Sequence, residues 1–187
     1  MSSTLIQETN PLSHSSCSSP KLFNKESQNH KAKLFQITNV QIISELLLNI
    51  CEENKQKIEK AINKKIKIPK NISKNSLRNF IIKLAKYVKI HDSTMILTLI
   101  YIDRMCKNNK ITIIYNNIFQ LVLTSLLIAI KYNEEKNFSF KYFASLGGIT
   151  VSELKILEKK FLLLINYNLY VDQKLFEKYN EDLNSLD

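Results

Sequence analysis

The sequence predicts an all-α protein, and three observations carry that expectation. Its 187 residues include only 2 Gly and 3 Pro, too few for the tight turns that a sandwich, a barrel or a phosphate-cradling loop requires. Apolar residues recur at helical rather than alternating spacing. Two runs, MILTLIYI and LVLTSLLIAI, are apolar almost all round, as helices at the centre of a bundle are. The length fits one domain with its own core plus a tail.

Residues 1–37 hold Ser-rich pieces such as SHSSCSSPK with no sustained period, and a disordered tail is expected there. A helix is signalled from Thr38, where Thr38 and Gln41 form a Thr-x-x-Gln capping box and Val40, Ile43, Leu47 and Ile50 recur at helical spacing. Pro69 in IKIPKNIS disfavours helix at the residue before it, so residues 38–65 read as an N-terminal helix and a basic linker. From about Ser76 to Val88, the residues Leu77, Phe80, Ile81, Leu84, Ala85 and Val88 form an apolar stripe opposite Arg78, Lys83 and Lys86. That is an amphipathic helix covering a core.

Asp92 or Ser93 is expected to cap the next helix, about Thr94 to Cys106. Another all-round apolar helix follows from about Tyr115 to Tyr132. Ser139 can cap a short helix that Gly147 stops, supplying the left-handed residue that helix ends favour. Thr150 and Glu153 then form a capping box, with Ile149 and Leu154 at the two positions of a hydrophobic staple. The helix that starts there carries Leu154, Leu157, Phe161, Leu164 and Ile165 on one face and ends near Asn166. A last amphipathic piece runs from about Gln173 to Leu183. The sum is a compact five-helix bundle with one helix added at each end and no strand.

Composition narrows the chemistry. The three cysteines (Cys17, Cys51, Cys106) lack CxxC spacing and the three histidines (His14, His30, His91) lie far apart, so neither a disulfide framework nor a metal site is indicated. The N-terminus lacks a continuous apolar signal region, and LVLTSLLIAI is much shorter than the roughly 20 residues a bilayer needs. An intracellular protein, nuclear or cytoplasmic, is expected. Ser19-Pro20-Lys21 matches a proline-directed phosphorylation site, a pattern that also arises by chance in a Ser-rich tail.

The 27 basic and 17 acidic residues give a net charge of +10. From Glu52 to Lys89, twelve Lys/Arg face three acids, a local net of +9. Such a segment can serve phosphate, nucleic acid or an acidic partner. Aromatics are not interleaved with these lysines as a base-stacking surface wants, so a solvated face is the favoured reading. A nucleic-acid-binding or adaptor module using residues 55–89 is the alternative.

Neither HExxH, GxxxxGK[ST] nor GxGxxG occurs, and no nucleophile is paired with a base. Asp103 and Arg104, or Glu134 and Glu135, have no polar partner converging on them in sequence, so no catalytic residue is assigned and an enzyme is not expected. What asks for explanation is a pair of charges at the edge of apolar helices, Lys131 in LLIAIK and Glu158 in LKILEKKF. Leaving either unpaired in a dry core costs several kcal/mol, so each must reach water, the other, or a partner. Lys131 can snorkel along its own stem. Glu158 is poorly served by Lys159 and Lys160, because neighbours one and two apart do not face each other on a helix. Plain solvation at a helix end remains the alternative for both.

The order of these segments resembles a cyclin box, and more narrowly the P-type or U-type (phosphate-pathway) cyclins. The resemblance covers roughly residues 66–171 and rests on AKY near the end of the first box helix, LIYIDR on the second, IAIKYNEE on the third, and KYFASLGGIT leading into ELKILEKKFL. It implies a single five-helix cyclin fold that binds a cyclin-dependent kinase as a heterodimer and holds its mobile regulatory helix inward. Neither a cofactor, a membrane nor an obligate homo-oligomer is implied. In that family a lysine ending the third box helix and a glutamate on the fifth hydrogen-bond backbone groups at the kinase helix; the matching positions are Lys131 and Glu158. The family's flanking apolar and aromatic contacts match Tyr132, Leu162, Tyr167 and Leu169, although Leu162 and Leu169 are equally readable as core. Asp103 of YIDR would form a structural salt bridge with a basic residue of the first box helix, Arg78 or Lys83 being the candidates. With no Trp in the chain and LRNFIIKL on that helix, the Trp-containing substrate-docking patch of cell-cycle cyclins is not expected. The sixteen residues after Val171, 172–187, leave room for a C-terminal helix but not for a second repeat.

Overall fold

The computed structural model describes residues 25–65, 74–88, 90–109, 111–135 and 138–186. Among them the chain forms α1 (Lys25–Ile62), α2 (Lys74–Val88), α3 (Asp92–Asn109), α4 (Ile118–Asn133), α5 (Phe140–Gly147), α6 (Val151–Leu164) and α7 (Gln173–Asn184), with no strand. The all-α architecture is the one expected, five helices flanked by one at each end.

The two runs read as apolar all round are the centre. Every residue from Thr94 to Ile102 in α3 and from Val122 to Ile130 in α4 is buried, and these two helices pack on each other more extensively than any other pair. The amphipathic elements cover them. Leu77, Ile81, Leu84 and Val88 of α2 turn inward, and α2 in turn packs against α1. From the other side come Leu154, Phe161 and the following Ile165, with Phe143 of α5. At the C-terminus α7 packs back on α3, capped by Asp172, whose carboxylate accepts from the Leu175 N–H at 2.9 Å.

Local signals set several boundaries as read. Ser139 accepts the Tyr142 N–H at 3.2 Å. At the start of α6 both halves of the capping box form, the Glu153 N–H reaching the Thr150 hydroxyl at 3.2 Å and the Thr150 N–H reaching the Glu153 carboxylate at 2.7 Å. Those hydrogen bonds from Thr150 hold the Glu153 carboxyl below its ordinary range. Thr150→Ala removes the cap and is expected to cost about 1 kcal/mol, read as a lower urea midpoint at unchanged slope.

Other boundaries differ, each for a physical reason. The first helix begins at Lys25, not Thr38, so residues 25–37 are helical rather than part of a disordered tail. The stretch KESQNHKAKLFQ contains neither Gly nor Pro, and extending an existing helix costs far less than nucleating one. Residues 1–24, with Ser19, and most of the linker around Pro69 lie outside the described residues. The third box helix starts at Ile118 instead of about Tyr115, because Asn117 folds the preceding residues into a turn, its side chain accepting from the Ile114 N–H at 2.9 Å and donating to the Thr112 carbonyl at 3.0 Å.

The helix α3 begins at Asp92, two residues before the start expected from its sequence. The His91 carbonyl accepts the first bonds of that helix, from the N–H groups of Thr94 and Met95 at 3.0 and 3.3 Å. Glu134 reaches the same helix start from the end of α4, accepting from the Thr94 hydroxyl at 2.7 Å and from the His91 N–H at 3.3 Å. The two glycines also divide the work differently. Gly148, not Gly147, is the left-handed cap of α5, at φ +66°, while a Cβ on Gly147 would run into the Leu123 side chain. Gly147 therefore lets α5 approach α4 closely.

Candidate functional site

Lys131 lies in the last turn of α4 and Glu158 at the middle of α6, and the packing of these two helices brings the side chains together. Lys131 Nζ donates to Glu158 Oε1 at 2.7 Å. Of the outcomes open in sequence, water, each other or a partner, the free chain takes the second. The Lys131 side chain is 42% exposed and that of Glu158 only 16%, so the pair stands at the rim rather than in the core. Lys131 Nζ also lies 4.1 Å from the centre of the Phe140 ring, at the start of α5. An exposed cation over an aromatic face gains about 0.5 to 1 kcal/mol, which helps fix where the ammonium points.

The flanking residues divide. Tyr132 and Tyr167 are 52% and 59% exposed, whereas Leu162 and Leu169 are half-buried against the core. The two leucines thus support the surface from beneath and only partly line it. Tyr132 and Asn133 of α4, with Ser93 and Leu97 of α3 and Tyr170 and Phe176 from the C-terminal part, border a cleft of about 360 Å³.

The turn after α6 has a shape the sequence does not announce. Asn166 and Tyr167 both have left-handed backbone, φ +52° and +53°, which Asn tolerates at a helix end and which costs roughly 1 to 2 kcal/mol at Tyr167. The turn closes through Tyr167 N–H to the Leu162 carbonyl at 2.8 Å and Asn168 N–H to the Ile165 carbonyl at 3.0 Å. From α3, the Tyr101 hydroxyl donates to the Leu169 carbonyl at 2.9 Å and the Arg104 guanidinium to the Asn168 carbonyl at 2.8 Å. Burial, with Tyr132 nearby, pushes the Tyr101 hydroxyl up to about 12, so it remains a donor at any physiological pH. Sequence reading passed over Tyr101, although a hydroxyl inside an all-round apolar run must find a partner. Phe140 and Tyr170 gave no comparable signal.

Asp103 does not pair with α2. Its carboxylate accepts from the Tyr179 hydroxyl of α7 at 2.6 Å and makes an ion pair with Lys107, one turn on along α3, at 2.6 Å. The register of α3 turns Asp103 toward the C-terminal helix, and Lys83 instead donates to the Leu146 carbonyl at 3.2 Å. Arg78 Nε is buried with no hydrogen-bond partner among the described residues.

The basic segment is partly neutralised within its own helix, where Lys55 pairs with Glu52 at 3.2 Å and Lys57 with Glu53 at 3.7 Å. Lys60, Lys64 and Lys65 are exposed at the end of α1, and Lys67 and Lys70 lie outside the described residues. Among the described residues there is no cluster of three or more His, Cys, Asp or Glu able to hold a metal ion, and no helix long and apolar enough to cross a membrane. Burial pushes the thiols of Cys51 and Cys106 up to about 11, which leaves them protonated and poor nucleophiles at neutral pH.

The geometry can be set beside known proteins. Cyclin-U2-1 of Arabidopsis thaliana is 34% identical over 105 residues, 56% of this chain and 47% of that protein. Cyclin-P2-1 of Oryza sativa subsp. japonica is 31% identical over 104 residues, 56% and 48% of the two chains, and Cyclin-U4-2 of Arabidopsis thaliana 31% over 109 residues, 58% and 50%. The chain therefore spans about half the length of the curated relatives it matches. The family model described as Cyclin matches residues 2–169, beginning well before the box expected from residue 66. With that match over most of its length and its all-helical fold, the chain belongs to the cyclin family.

Proposed function

We propose that the chain is a regulatory subunit of a cyclin-dependent serine/threonine protein kinase, binding the kinase as a heterodimer and having no catalytic activity of its own. The observation that carries this reading is the Lys131–Glu158 pair, held at 2.7 Å on the rim of a chain that belongs to the cyclin family. Each member keeps unused capacity. The ammonium has three N–H donors and spends one on Glu158, which takes that bond on Oε1, and a carboxylate has two acceptor oxygens.

These are charge-assisted groups suited to the unmet backbone N–H and carbonyl groups at the end of a partner helix. Each such bond contributes about 1.5 to 3 kcal/mol. A contact made only with the inward position of the kinase's regulatory helix shifts the kinase toward that conformer by the differential free energy. Tyr132 and Tyr167 would flank the pair, amphipathic rings being suited to interface centres, with Leu162 and Leu169 beneath. Residues 66–171 would form the box, in a protein of the nucleus or cytoplasm.

Affinity purification of the intact chain, with identification of the proteins recovered, tests the reading. A cyclin-dependent kinase in stoichiometric amount is the expected result. Recovery of nucleic acid whose binding weakens steeply with salt, and of no kinase, would favour the basic segment as the functional surface and overturn the reading.

A further inference from the structure

The turn at 166–169 is strained at Tyr167, largely exposed and, among the described residues, tied by side chains of α3. Two consecutive non-glycine residues, Asn166 and Tyr167, take left-handed backbone, and the second presents its ring to solvent, 59% exposed. Such a conformation persists only where the surroundings over-determine it. The Asn166, Tyr167 and Asn168 N–H groups bond to the Leu163, Leu162 and Ile165 carbonyls and close the turn on the end of α6. The ties that reach it from elsewhere come from α3, Arg104 to the Asn168 carbonyl at 2.8 Å and side-chain oxygen at 3.4 Å, and Tyr101 to the Leu169 carbonyl at 2.9 Å. Tyr101 is fully buried, so its hydroxyl is a fixed point rather than a mobile donor.

We propose that Arg104 and Tyr101 are positioning residues of the partner surface, holding the 166–169 turn in its left-handed shape so that Tyr167 is set before the partner arrives. The inference rests on the kinase-binding reading and adds two residues that touch the turn's backbone rather than the partner. Ordering a contact segment in advance removes that cost from binding. Without the two donors, the turn relaxes to ordinary backbone conformations and the Tyr167 ring swings away.

The test is a double-mutant cycle on affinity for the kinase recovered by the intact chain. Arg104→Ala and Tyr101→Phe are each expected to weaken binding about tenfold, as the loss of a bond that orders a contact would, with Arg104→Lys recovering part of the loss. Residues acting through one another are non-additive, so Arg104→Ala should add little once Tyr167→Ala is present. Amide exchange at residues 166–169 should quicken in Arg104→Ala, while the thermal midpoint reports whether the fold survives. Wild-type affinity of Arg104→Ala, or losses that multiply independently of Tyr167, would overturn the inference alone. Absence of any kinase binding by the unaltered chain would remove the reading on which it rests.

Discussion

Replacing Lys131 and Glu158 together by alanine is expected to lower affinity for the proposed kinase partner about a hundredfold or more and to leave the fold in place. Two charge-assisted bonds at about 1.5 to 3 kcal/mol each amount to two or more decades of affinity. The stability side is much smaller. A rim ion pair contributes only about 0 to 1 kcal/mol, and a chain of this length shifts its thermal midpoint by roughly 2 to 4 °C per kcal/mol. The single variants carry a further signature. Lys131→Ala strands the Glu158 carboxylate, only 16% exposed, without its partner, and stranding a poorly solvated charge is worse than removing both. Lys131→Ala should therefore be less stable than the double variant, by thermal melting. The opposite order would mean that Glu158 is solvated well enough not to need Lys131.

Phe143→Ala is the substitution expected to damage the fold most. The short helix α5, Phe140–Gly147, is far below the length at which a helix is stable alone, so it depends on what it buries. Phe143 is fully buried, with Ala144 and Leu146 beside it in the core, and its ring meets Phe138 edge-on at 6.5 Å. Truncating a buried Phe to Ala costs about 3 to 5 kcal/mol, a large part of the roughly 5 to 15 kcal/mol that holds a domain together. A urea midpoint lowered to match is the expected measurement. A loss below about 1 kcal/mol would show that α5 is held by something other than its apolar face. Because α5 also carries Phe140, beneath Lys131, its loosening should weaken kinase binding as well.

What was legible in the sequence was what is decided locally or by burial on every side. The Thr150–Glu153 box involves residues three apart, and the runs around Ile100 and Leu127 had to be central because no face of them is polar. The first helix start was misread for the complementary reason. A capping motif at Thr38 is a local option, and a breaker-free stretch before it let the helix continue back to Lys25.

Contacts between distant helices were not legible. Lys131 and Glu158 meet across 27 positions of sequence, and Asp103 finds Tyr179 across 76, each set by a helix register that periodicity does not supply. Glu134 illustrates the same limit. In sequence it is an unassigned acid after a helix; in the fold it reaches the start of α3, where a negative charge suits the helix dipole. The roles given to Lys131 and Glu158 came from resemblance to the cyclin box. Geometry adds their proximity, the seat on Phe140 and the left-handed turn that follows α6.

The central claim is regulation of a kinase by this surface, and the most direct measurement is phosphate transfer by the recovered kinase, purified free of its partner, as the intact chain is titrated in. Activity should rise and saturate near one chain per kinase, and the Lys131→Ala/Glu158→Ala variant should give no rise at the same concentrations. Activity that stays flat with the unaltered chain, or rises equally with the variant, would contradict the account.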